Sequence, residues 1–543
     1  MSASDKKKTR HEQYVSQMTE KQQKEAKESK KLRLYTIIFA VVIVLMIGIV
    51  IATTFLRSGI LERKTTAATI NGDTKISAAE LNHYYIDAVN QFMNQFGNYL
   101  SLTGLDSTKP LDEQIQDEET NTTWADYFLQ DAAKRMKSVY AVYNDAVAQG
   151  YTLSDTAKTQ LDMTVSNMAA YAKIYGYPDA NSYIKAVYGQ GCNEETYRQY
   201  AEIQLIASEY AKDHSESLTY DDAALRAAEA ENFNAYSSYS YHSYFVGASH
   251  FYEGGTTGED GKVTYSDEEK QAGLKAAEKA AQDLLDQKPA TAEEFDKAIG
   301  AMSVNADTDA KSTVFDRVLY SQIGQIFRDW VTDAQRTAGD MTVVPNETET
   351  TNEDGSTTKT VTGYYVVMFD GSTDNTFPLV NVRHILVPYE GGTTGENGQK
   401  TYTDEEKAAA KAKAEELLAQ FTSGDATEDA FAALAKENST DGGSKENGGL
   451  YEDVYPGQMV RNFNDWCFDE SRKPGDTGIV ESDYGVHVMY FVGDSETTYR
   501  DYMIAKELRS ADMAKWEESL AETVTVELVD TSKVNTDLVI GKK

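Results

Sequence analysis

Residues 252–270 read YEGGTTGEDGKVTYSDEEK, and residues 389–407 read YEGGTTGENGQKTYTDEEK. Fifteen of the 19 positions are identical at an offset of 137. Self-similarity at a fixed offset marks a duplicated structural unit. The correspondence continues downstream. Arg328-Asp-Trp330-Val-Thr-Asp333 faces Asn464-Asp-Trp466-Cys-Phe-Asp469, and Gly339-Asp340 faces Gly475-Asp476. Gly363-Tyr-Tyr-Val-Val367 faces Gly485-Val-His-Val-Met489. Two copies of one domain therefore lie in tandem, at 236–374 and 377–495. Each reads as strand, glycine-rich loop, long helix, second helix, irregular loop, short helix and strand. That is an α+β unit with a small antiparallel sheet. The Gly-Gly-Thr-Thr-Gly loop is no phosphate cradle, because no Gly-Lys-Ser/Thr follows and acids surround it; it reads as a hairpin loop or flap. Asn305-x-Asp307-x-Asp309 has the opening spacing of a calcium loop, but the glycine at position 6 and the glutamate at position 12 are missing.

Upstream of the repeat the pattern changes. Asn71-Gly72 between apolar flanks reads as a tight hairpin turn. Ser77-Ala-Ala-Glu80 is a capping box that opens a helix. From there to residue 235 apolar residues recur at helical spacing, as in YFLQDAAKRMKSVYAVYNDAVAQG at 127–150. At the far end, Tyr499–Glu522 reads as a helix and Val524–Val529 as a strand.

Charge divides the 543-residue chain again. Residues 1–33 carry ten basic and five acidic side chains, whereas the whole chain carries −35. Between that basic tail and the acidic bulk lies Leu34–Leu56, LYTIIFAVVIVLMIGIVIATTFL, 23 residues without a charge. About 20 apolar residues cross a bilayer core. The basic flank belongs in the cytoplasm, which places everything after Leu56 outside. A cleaved signal peptide fits less well: 33 residues precede the apolar run, the run exceeds a usual signal core, and no clean A-x-A follows. The acidic excess argues against nucleic acid as a partner. Two cysteines, Cys192 and Cys467, are too few for a disulfide framework or a Cys-based zinc site.

The residues that can do chemistry gather in the second copy. Asn381-Val-Arg-His384-Ile-Leu-Val387 is an apolar strand carrying a histidine. Asn438-Ser-Thr-Asp441-Gly-Gly-Ser-Lys-Glu-Asn-Gly-Gly-Leu450 is a glycine-rich excursion holding an acid. Pro456-Gly-Gln-Met459-Val-Arg-Asn-Phe463 reads as the opening of a short helix, with Met459 and Phe463 four apart on one face. Ser482-Asp-Tyr484-Gly-Val-His487-Val-Met turns into a strand carrying a second histidine. Singly, each has a plainer reading: a strand histidine is usually core, and an aspartate among glycines usually forms a turn.

Jointly, RHILV, NGGL, PGQM and YGVHV in this order resemble the parvulin-type peptidyl-prolyl isomerases, over about 377–495. The wider layout resembles extracytoplasmic foldase-chaperones of the PrsA and SurA kind. It departs from them in the missing lipid-anchor cysteine, the long flap after Tyr389, and Tyr451-Glu-Asp where the family often has Gly-x-Phe. The resemblance implies a catalytic group of His384, Asp441 and His487, with the two histidines bonded to each other or a neighbour. It implies a proline pocket from Met459 and Phe463 with Leu450 as a neighbour, and rim residues Ser482 and Tyr484. An X–Pro amide rotates over about 18–20 kcal/mol because resonance flattens it. Catalysis requires binding the twisted amide better than the planar one. An apolar grip on the ring with an acid near the turning carbonyl serves that end.

In the first copy Tyr365 stands where His487 stands, Ile323 replaces Met459, and Phe327 retains Phe463. The glycine pair before Leu450 is gone, and His242 matches His384 only if the register shifts. That copy is expected to be folded but silent. The resulting expectation is an α+β multidomain protein. It has a cytoplasmic tail (1–33), a transmembrane anchor (34–56) and a mostly helical chaperone-like domain (66–235), on which 499–530 packs back. A degenerate parvulin-like domain (236–374), a parvulin domain (377–495) and a C-terminal helix, strand and tail (496–543) follow. Its expected work is proline isomerisation and chaperoning of unfolded or translocating polypeptides with X-Pro bonds, without metal or cofactor; the alternative is a non-catalytic holdase.

Overall fold

The computed structural model describes residues 3–16, 20–258, 261–306, 308–351, 356–395 and 399–542. Asp307 of the calcium-like spacing, and the tips of both glycine-rich loops, lie outside the described residues. The chain forms two units, one of residues 1–218 with 511–543 and one of residues 219–510.

In the first unit the helix Glu20–Arg57 carries the uncharged run, and Lys27–Arg57 within it is long and apolar enough to cross a membrane. The hairpin Thr66–Ile70 and Thr74–Ser77 turns on Asn71 and Gly72, at φ 52° and 74°. Positive φ at both central residues is what a type I′ turn demands, so the Asn-Gly pair sets the register. Ser77 then caps Ala78–Phe96: its hydroxyl accepts from Glu80 N at 3.2 Å, and the Glu80 carboxylate accepts from Ser77 N at 2.7 Å. Helices Trp124–Ala148, Asp155–Ile174, Ala180–Tyr188 and Glu194–Ser217 follow. Leu81, Tyr85, Ile86, Phe128 and Met136 form the core, joined by Val524 from the tail. The tail strand Val526–Leu528 pairs antiparallel with Thr66–Ile70.

The second unit holds two four-stranded antiparallel sheets. The first runs Thr313–Leu319, Ser238–Gly247, Thr357–Thr373, Met341–Thr351 across the sheet. The second runs Leu450–Val454, Pro378–Val387, Gly485–Thr498, Thr477–Ser482, the same order. Helices Asp404–Ser423 and Glu428–Asn438 cover one face of the second sheet, where Ile385, Val387, Val486 and Val488 meet Ala414, Leu417 and Phe431. Val382, Met489 and Phe491 on the other face pack on Phe463 and Trp466. Each sheet thus has one edge strand inside a stretch that reads as irregular loop. Such a strand is defined by its partner, which lies far away in sequence.

The repeated ribbon is fastened the same way twice. Glu269 and Glu406 each close a capping box, and each also accepts from a ribbon glycine, Gly255 N and Gly392 N, at 2.9 Å.

Candidate active site

The pairing register puts the two histidines side by side. His384 opposes Met489 and Leu386 opposes His487, so His384 and His487 are diagonal neighbours on the face away from the two helices. Their ring atoms Nδ1 approach to 3.1 Å. His384 Nε2 lies 3.0 Å from Asp441 Oδ2, and His487 Nε2 lies 2.7 Å from Ser482 Oγ. Phe463, buried beneath, presents its ring nearly perpendicular to both histidines, with centroids 5.3 Å away in each case.

One proton arrangement that satisfies this row keeps both rings neutral. The Asp441 carboxylate only accepts, so His384 Nε2 carries the proton and donates to it. His384 Nδ1 then accepts from His487 Nδ1–H, and His487 Nε2 accepts the Ser482 hydroxyl proton. Tyr484 N donates to Ser482 Oγ at 3.2 Å and closes the far end. Every donor points toward Asp441. Two further hydroxyls converge there, Ser444 Oγ at 2.5 Å and Tyr451 OH at 2.9 Å. Sequence reasoning missed both as site residues; Tyr451 had registered only as a departure from the usual Gly-x-Phe.

These contacts set the ionisation. The hydrogen bond from His384, helped by those from Ser444 and Tyr451, holds the Asp441 carboxyl well below the usual carboxylate range. Burial pushes the Tyr451 phenol up to about 12, and its bond to Asp441 adds to the rise. Burial, with His384 alongside, pulls His487 down to about 4, against the attraction of Asp441. His487 is therefore neutral at pH 7. A histidine whose folded pKa is depressed stabilises the fold above its unfolded value, about 6.5, and that contribution is lost as pH falls toward 4. Loss of Asp441 ionisation adds only in stronger acid. The expected result in chemical denaturation is a loss between pH 7 and pH 4 that exceeds the loss in His487→Gln by on the order of 3 kcal/mol. Equal pH dependence in the two proteins would refute a neutral His487.

The glycine pair explains how the acid loop reaches the sheet. Gly448 and Gly449 have φ 68° and 74°, and Gly449 O accepts from His384 N at 2.9 Å. A Cβ on Gly449 would lie 2.2 Å from His384 O.

Two expected pocket residues are placed differently. Met459 is not on the helix with Phe463: the helix is Arg461–Cys467, and Met459 sits in the bend before its cap, Val460. It still packs, half-buried, against the cluster that holds Phe463. Leu450 opposes Arg383, and Tyr451 opposes Val382. Side chains alternate along a strand, so Tyr451 shares the histidine face while Leu450 shares the face of Arg383, away from the site. Tyr484, 67% exposed, stands at the rim above Ser482.

The first sheet lacks this row. Gly363 pairs with Gly247 and Val367 with Ser243. Laying Gly363 on Gly485 therefore puts Tyr365 at His487 and Ser243 at His384. His242 takes the place of Arg383, on the opposite face, where it contacts Ser312 at 2.7 Å and Asp370 at 3.1 Å. Tyr241 stacks on Phe315, with centroids 4.5 Å apart, and Phe327 meets both Tyr241 and Tyr365, so aromatic rings fill the space.

Comparison with known proteins matches residues 364–493 to the PPIC-type PPIASE domain family. That span holds every expected site residue. Foldase protein PrsA 1 of Listeria innocua is 34% identical over 119 residues, 22% of this chain and 32% of the relative. The chain thus spans about a third of the length of the curated relatives it matches. Among solved structures, PrsA from Bacillus cereus is 25% identical, with a TM-score of 0.18 over 31% of this chain and 58% of the other. PrsA from Bacillus subtilis is 12% identical, with a TM-score of 0.30 over 79% and 98%. Residues 364–493 are accordingly a parvulin, PPIC-type peptidyl-prolyl isomerase domain, in a chain similar to the PrsA foldases.

Proposed function

We propose that the chain is a membrane-anchored, extracytoplasmic peptidyl-prolyl isomerase and chaperone that assists the folding of secreted polypeptides. The observation that carries this is the donor row Ser482–His487–His384–Asp441, lying over Phe463 inside the isomerase domain. Its ionised carboxylate sits at the open end, where a bound X–Pro carbonyl would turn. A fixed negative charge there disfavours the charge-separated resonance form that keeps the amide planar. Met459 and Phe463 supply the apolar side of the pocket for the ring. The histidines hold the acid in place and are positioning residues for it.

The first module, in this reading, is a parvulin-like copy that no longer catalyses. The domain at 66–235, with the returning tail, handles unfolded chain. A holdase reading draws on that aromatic-filled copy, and one assay separates the two. Full-length protein in nanodiscs should accelerate cis–trans exchange of an X-Pro peptide and delay aggregation of an unfolded client. Delay without acceleration would replace this reading by the holdase.

Leu34–Leu56, within the helix Glu20–Arg57, is the proposed anchor, with the acidic bulk outside. Protease added to intact cells should remove the bulk and leave a small N-terminal membrane fragment. A soluble mature chain starting near Thr66 would overturn the anchor.

A further inference from the structure

The first unit carries an exposed aromatic tip that the isomerase does not use. At the junction of Asp155–Ile174 and Ala180–Tyr188, Tyr171, Ile174, Tyr175 and Tyr177 all face solvent. Ile174 is 72% exposed and Tyr175 is 65% exposed. The tip is ordered rather than loose. The rings of Tyr171, Tyr175 and Tyr177 gather about Tyr183 at 6.2, 5.8 and 5.7 Å, the Tyr175 pair nearly parallel at 7°.

Its place in the fold is the informative part. The segment that follows the apolar helix is bound to the same end of the unit. Lys185 Nζ and Gln190 Nε2 both donate to Arg57 O, at 3.3 and 2.7 Å. Arg63 donates to Gly191 O at 3.0 Å. Gly59 and Gly191 touch so closely that a Cβ on Gly59 would lie 2.5 Å from Gly191 Cα. The helix Glu194–Ser217 starts at this point and runs antiparallel to Asp155–Ile174, as Arg198 with Asp162 (2.7 Å) and Glu209 with Ser154 (2.7 Å) establish. From Asp162 to Ile174 the helix rises about 18 Å, whereas the partner begins only about 6 Å before Arg198. The tyrosine tip therefore overhangs on the end of the unit that holds Arg57.

We propose that this tip lies in the bilayer interface, as a second membrane contact beside the helix. Tyrosine is enriched at that depth because its ring is apolar and its hydroxyl wants water. Ile174 supplies the apolar point, and the exposed Lys173 flanks it with a long side chain whose head reaches the headgroups. The contact would hold the unit at a fixed height over the membrane. The proposal rests on the reading of Leu34–Leu56 as a span, so its test must separate the two.

Cys192 and Cys467 are buried, and burial raises both thiols to about 12, so an introduced surface cysteine takes a label selectively. Three variants of the full chain, each with one introduced cysteine, would be spin-labelled in nanodiscs: Val44→Cys, Met163→Cys and Tyr175→Cys. Met163 is exposed on the same helix as the tip and about 18 Å back from it. Collision with a water-soluble nickel chelate should be several-fold lower at 175 than at 163, with 44 accessible only to oxygen in the lipid. Equal chelate access at 175 and 163, with 44 in lipid, would overturn the tip contact and leave the span standing. Chelate access at 44 would overturn the span and the proposal together. Protection at 175 that appears only at high protein-to-lipid ratio would assign the tip to a second copy of the chain, and also overturn it.

Discussion

Replacing Gly449 with alanine is expected to unfold the isomerase domain or leave it without its acid loop. The new Cβ would stand 2.2 Å from His384 O, 3.1 Å from His384 N and 3.1 Å from Ala435 Cβ. The first two are backbone atoms of a central strand and cannot swing aside. The backbone of Gly449 is itself bound there, through the bond from His384 N. Its φ of 74° adds strain for any L side chain. The combined cost is about 3 kcal/mol or more, large for one methyl group. Gly457→Ala is the matched control: φ is 84°, but an added Cβ meets nothing within 4 Å. It should cost about 1 kcal/mol, the left-handed conformation alone. Denaturant unfolding of the full chain followed by tryptophan emission would read both, since Trp466 lies in this domain. Equal effects from the two substitutions would show that close approach to His384 is unimportant.

Removing the acid should abolish most activity without unfolding the protein. Asp441→Ala deletes the acceptor shared by His384 Nε2, Ser444 Oγ and Tyr451 OH. It also removes the one fixed charge at the end of the row. The expected loss in kcat/KM is tenfold or more, about 1.4 kcal/mol of transition-state stabilisation or above. Asp441→Asn preserves the shape and keeps one acceptor oxygen, so a similar loss there assigns the effect to charge. Met459→Ala should lower activity through the ring pocket instead. His487→Ala is expected to act on stability, because His384 Nδ1 would lose its buried donor. A folded double variant of Asp441→Ala and Met459→Ala with wild-type activity would refute the site.

Much of this was already readable from local sequence, for a physical reason in each case. Asn71-Gly72 fixes its turn because only small or amide residues tolerate two positive φ angles. Ser77 and Glu80 fix a helix start because they satisfy amides the helix leaves open. Leu34–Leu56 identifies itself by length and by the absence of charge. The ribbons at 252–270 and 389–407 announce the duplication, and the order RHILV, NGGL, PGQM, YGVHV pointed to His384, Asp441, His487 and Phe463, which the fold does bring together.

What the sequence by itself determined, then, was whatever neighbours along the chain settle: turns, caps, the apolar helix, the repeat and the candidate side chains of the row. The tertiary structure alone decided which face each side chain takes and what stands across from it. The edge strands at 313–319 and 450–454 exist only through partners about 70 residues away. That pairing turned Leu450 away from the site and Tyr451 into it, because one step along a strand reverses the face. It also put Ser243, not His242, opposite Val367 in the first sheet, so no histidine stands at the position that corresponds to His384. Met459 lies outside the helix, in the bend that follows the Pro456-Gly457 turn, where Gly457 takes φ 84°. The row from Ser482 to Asp441 depends on distances between segments that meet only when the sheet has closed.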